Sequence, residues 1–73
     1  MNITHIKERM QRKPFRAFSI VLDSGDEIPV MSDTELIFPK SRPATIYVFA
    51  SDGTGWIFET QVVSALNDNG GGA

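Results

Sequence analysis

The chain of 73 residues contains no cysteine. That absence excludes disulfide bracing and every cysteine-based zinc site. Histidine, tryptophan and tyrosine occur once each, so any histidine-dependent catalysis would have to use His5 alone. No apolar run approaches the 18 residues that a membrane helix requires. The opening "MNITHIKERMQRKPF" has no apolar core of the signal-peptide kind. A cytoplasmic protein with no membrane partner is therefore expected. A chain of this length is one domain and buries only about 60% of the surface its unfolded form exposes. With 41% hydrophobic residues it is globular, and association between copies is the remaining way to support so small a core.

What charge there is lies unevenly. Residues 1–16 carry Lys7, Arg9, Arg12, Lys13 and Arg16 against Glu8, a net +4. The rest carries Lys40 and Arg42 against eight carboxylates, a net −6. A basic segment on an acidic body suits an anionic partner. It also suits ion pairing within the chain.

Residues 3–13 read as a short helix with Ile3, Ile6 and Met10 on one stripe. Asn2 or Thr4 serves as its cap, and Pro14 ends it. From Phe15 the period becomes two, with Phe18, Ile20 and Leu22 as the inward set. "DSGD" places Gly25 where a type I turn closes on a positive-φ residue. Ile28 and Val30 continue inward on the return strand. Pro29 cannot donate to a ladder, so it marks an edge or a bulge. "SDTE" is a bend, "LIFP" a short strand or bridge, and "KSRP" a loop. "TIYVFA" is the strongest strand, apolar on both faces, and is expected to be covered by core on one side and a neighbour on the other. "SDGTG" is a second turn, followed by strands at "WIFET" and "VVSAL".

These elements predict a mainly β domain at 1–66 with one N-terminal helix, and a flexible tail at 67–73. Closure into a small five-stranded barrel of the SH3-like or Sm-like kind would remove exposed edges.

The pattern "PFRAFSIVLDSGDEIPV … ELI … IYVFASDGTGWIFETQVVSAL" resembles a family of short bacterial proteins, common in planctomycetes, whose usual form runs PFRPF-x-I-x-L-x-DG. The likeness covers Ile6 to Leu66. It departs at Ala17, at Ser24 and at Ser32–Asp33–Thr34, where a His-Pro pair is usual. No established activity comes with that family. A more distant similarity is to Sm-like proteins, including the bacterial host-factor RNA chaperone, which assemble into rings through exposed strands. That similarity implies a helix-plus-barrel fold, with Phe18–Leu22, Glu27–Ser32, Ile46–Ala50, Trp56–Thr60 and Val62–Leu66 as the five strands, and RNA as a partner. The chaperone's Lys-His pair is replaced here by Glu59–Thr60.

Candidate chemistry is sparse. His5 lies on the helix with no nucleophile turn near it in sequence. Asp23, Asp26, Glu27 and Asp52 surround glycine turns, where such residues serve the backbone, and "DSGDE" lacks calcium-loop spacing. Glu27 and Glu59 have no feature that sets their separation. "DGTG" lacks the Gly-Lys-Ser/Thr of a phosphate loop. The anion- or RNA-binding candidates are Lys7, Arg9, Arg12, Lys13 and Arg16, with Phe15, Tyr47 and Trp56 as stacking aromatics. Candidate subunit contacts are Ile46, Tyr47, Val48, Phe49 and Trp56. No enzyme, metal, cofactor or small-molecule substrate is inferred. The expected function is a self-associating interaction module, a homo-oligomer, and the alternative is an RNA-binding protein using the basic helix.

Overall fold

Helix α1 spans Ile3–Gln11 in the computed structural model, which describes residues 1–68. Asn2 is its cap, its side-chain oxygen accepting the Thr4 N–H at 2.9 Å. The helix stops two residues short of the expected end, with Arg12 already extended at ψ 136. The restriction that Pro14 places on Lys13 removes the last turn. The Lys13–Pro14 peptide is cis. Ile6, in the middle of the stripe, is fully buried and Met10 packs on the same core.

Six strands follow: β1 Phe18–Leu22, β2 Glu27–Val30, β3 Leu36–Ile37, β4 Thr45–Phe49, β5 Gly55–Glu59 and β6 Val63–Asn67. A 3-10 turn, Thr60–Val62, separates the last two. The mainly β class with one N-terminal helix stands. The five-strand closed ring does not describe the ladders: two antiparallel sheets form, ordered β2-β1-β6 and β3-β4-β5. "LIFP" supplies a strand of its own by pairing Leu36 with Val48 and Ile37 with Tyr47.

The first hairpin is built as its sequence predicts. The Gly25 N–H donates to the Leu22 carbonyl at 2.9 Å and Gly25 takes φ 95. Pro29 sits on β2, an edge strand, opposite Ser19. The second hairpin repeats the device: the Gly53 N–H donates to Ala50 and Gly53 takes φ 93. β1 also pairs with β6, across a register shift between Val21 and Leu22. The ladder reaches Asn67, opposite Ser19. Residues 69–73, the remainder of the expected tail, lie outside the described residues.

The two sheets enclose one core, with Phe18, Ile20, Ile28, Val30, Ile46 and Val48 all inaccessible to solvent. Burying each such side chain stabilises the fold by about 1.5–3 kcal/mol. No helix among the described residues is long and apolar enough to cross a membrane.

Candidate functional site

Strand β4 explains the surface of the second sheet. Its side chains alternate, and its two β-branched aliphatic residues, Ile46 and Val48, point into the core at 0% exposure. These two were expected to contact a subunit. They do not reach the surface, because the strand spends its inward face on its own core. Tyr47 and Phe49 take the outward face, half-buried and 49% exposed respectively. Their rings meet edge-on at 6.2 Å. Trp56 is half-buried and packs against the core cluster.

Register completes the outer face. Tyr47 lies opposite Ile37 on one side and Ile57 on the other. Ile37 is 46% exposed and Ile57 69% exposed. These three residues and Phe49 form an apolar row across the sheet. A shallow groove runs along its end, with Arg42, Thr45, Ile57 and Glu59 among its lining. Gly55 closes the other end; the Phe49 ring would lie 3.5 Å from a Cβ placed there. Ile37 and Ile57 were missed in the sequence, although "LIFP" and "WIFET" each offered them as one half of an apolar alternation.

The basic segment is divided by the fold. Arg9 forms an ion pair with Asp68 and stands 5.7 Å over the Phe18 ring. Lys7 stands 5.4 Å over the Phe38 ring. Arg12, Lys13 and Arg16 are exposed where α1 gives way to β1. Phe15 packs with Phe18 at 6.0 Å against the core, so its ring is partly spent on the fold.

The carboxylates serve turns. Asp52 accepts the Thr54 N–H at 2.9 Å and the Thr54 hydroxyl at 2.6 Å. These hydrogen bonds, the hydroxyl's first, hold its carboxyl below the ordinary value. Asp26 accepts the Ser24 hydroxyl at 3.0 Å. Glu27 and Glu59 stand on different sheets. His5 is exposed on α1. No group of three metal-ligating side chains occurs among the described residues. Glu35, read as part of a bend, is buried: its carboxylate accepts the Met31 N–H at 3.0 Å, and its carbonyl accepts the Phe49 N–H at 2.8 Å.

Comparison with protein-family models, curated proteins and solved structures finds no match to the chain.

Proposed function

We propose that the chain is a non-catalytic β module of the cytoplasm that works by protein contact, and first by contact with its own copies. The observation that carries this reading is the outer row of the second sheet. Ile37, Tyr47, Phe49 and Ile57 are contiguous through the strand register, with Ile37, Phe49 and Ile57 open to solvent and Tyr47 half-buried between them. Apolar residues scattered singly need no explanation, but a contiguous patch marks an interaction surface. Mass measurement in solution tests it. A multiple of the 8.1 kDa chain at micromolar concentration is expected, and a strict monomer at all concentrations overturns self-association.

The second reading is RNA binding through the basic helix. It is favoured by Arg12, Lys13 and Arg16, which stay exposed beside one another in the chain, and by the Sm-like order of elements. The pairing of β1 with β6 supports that likeness, since joining first strand to last is a step towards a barrel. The likeness to the short planctomycete-type family rests on the same hairpins. Phosphate contact makes affinity fall steeply with salt. Binding of single-stranded RNA at low salt, lost on adding salt and in Arg12→Ala/Lys13→Ala, supports this reading. Silence at low salt ends it.

A further inference from the structure

Each sheet has two outer strands, and three of the four are guarded. β2 carries Glu27 and Pro29, a charge and a residue without an N–H. β3 is two residues long. β6 is flanked by the N-terminal segment, with the Met1 ammonium on the Thr60 and Val63 carbonyls at one end and Arg9 of α1 on Asp68 just past the other. These are the usual protections of a sheet edge: charge, proline, shortness and a flanking segment of chain. Among the described residues, none of these protects the middle of β5, with sequence Gly-Trp-Ile-Phe-Glu.

The ladder shows which of its backbone groups face away from β4. Ala50 donates to the Thr54 carbonyl and Thr60 to the Ala44 carbonyl. Bonded and non-bonded pairs alternate along an antiparallel ladder. The bonded pairs between these ends are therefore Val48 with Trp56 and Ile46 with Phe58. The N–H and C=O of Gly55, Ile57 and Glu59 point away from β4.

We propose that β5 pairs antiparallel with β5 of a second copy, about a two-fold axis through Ile57. Ile57 then faces Ile57 of the second copy, and Gly55 faces Glu59 of the second copy at both ends. Every outward backbone group of the strand finds its counterpart. On the inner side Trp56 comes opposite Phe58 of the second copy, an aromatic cross-strand pair of the favourable kind. On the outer side the row Ile37, Tyr47, Ile57 is doubled into one apolar band. The charges also fit. Arg42 lines the groove at the Glu59 end, and Asp52 lies in the turn beyond Gly55. The two-fold brings the end that holds Arg42 in one copy towards the Asp52 turn of the other. It keeps the two Glu59 carboxylates about 13 Å apart along the strands, beyond the screening length of about 8–10 Å. Such an interface is isologous and closes at two copies, unlike a head-to-tail ring.

This inference rests on self-association, so its test separates the two. Solution mass and residue-resolved amide exchange are measured on the intact chain across concentration, then on Ile57→Lys. Twice 8.1 kDa is expected. The amides of Gly55, Ile57 and Glu59 should gain protection with concentration, while those of Trp56 and Phe58 stay protected throughout. Ile57→Lys sets two like charges face to face and should give a folded monomer without that gain. A monomer at every concentration overturns both readings. An oligomer larger than two, or a dimer whose Gly55, Ile57 and Glu59 amides exchange at a rate independent of concentration, overturns the β5 pairing alone. The exchange pattern of the unaltered chain keeps the test decisive if Ile57→Lys fails to fold.

Discussion

The two edges named by Pro29 and Ile57 belong to hairpins of the same design. Each turns on a glycine near φ 95, yet β2 is closed to addition and β5 is open. Pro29 withholds an N–H, whereas Ile57 is 69% exposed on an unguarded strand. The sheet that carries α1 is finished within the chain. The sheet that carries Ile57 has completed its inner face only. What differs is the residue placed on the edge, not the turn that forms it.

The largest expected effect lies on the finished side. Ile6→Ala removes a fully buried side chain that joins α1 to the core and should cost about 2–5 kcal/mol. In a domain of this size each kcal/mol lowers the melting temperature by about 4–8 °C. Thermal unfolding followed by circular dichroism should show a large drop for Ile6→Ala. A change below about 1 kcal/mol would mean that α1 is not part of the folded core.

An intermediate effect compares the two turns directly. Gly25 and Gly53 both have open space where a Cβ would stand, so an added Cβ meets no clash and the expected penalty comes from the backbone. A left-handed conformation costs a non-glycine residue roughly 1–2 kcal/mol, and β-branching adds to it. Gly25→Val and Gly53→Val should lower the melting temperature by similar amounts. Unequal losses would show that one turn depends on more than its glycine.

The smallest effect is a pH dependence at the second turn. Asp52 has a folded-state pKa below its ordinary 3.8 because Thr54 donates to its carboxylate. A depressed pKa adds stability that is present above the unfolded value and disappears as pH falls through the folded one. Asp52→Asn should therefore reduce the loss of stability between neutral pH and pH below 3.8. Melting curves of both proteins across that range check it. An unchanged slope would detach the turn from acid sensitivity.

Much of this fold is legible locally. The stripe of Ile3, Ile6 and Met10, the Gly25 turn and the edge position of Pro29 each follow from a few neighbouring residues. The rest depends on distant partners. Nothing near Ser19 announces that Asn67 will lie across from it, nor near Arg9 that Asp68 will meet it. "TIYVFA" is apolar on both faces, so alternation alone leaves open which face turns inward. Packing puts Ile46 and Val48 inside and leaves Tyr47 and Phe49 as surface. The outer row was half visible for that reason, and Ile37 and Ile57 emerge only once the register is known. Glu35 gave no compositional signal, because its place is set by the Met31 amide and by the Phe49 amide across the sheet.

Glu35 also sets how the molecule opens. Its carboxylate holds the Met31 amide just past the end of β2, and its carbonyl holds the Phe49 amide at the end of β4. One residue therefore staples a strand end of each sheet to the same short bend. An outward swing of the bend pulls on both contacts at once. Amides tied in this way open as a unit, so Met31 and Phe49 should exchange with solvent at one common rate in native-state hydrogen exchange. Two well-separated rates would show that the sheets loosen independently.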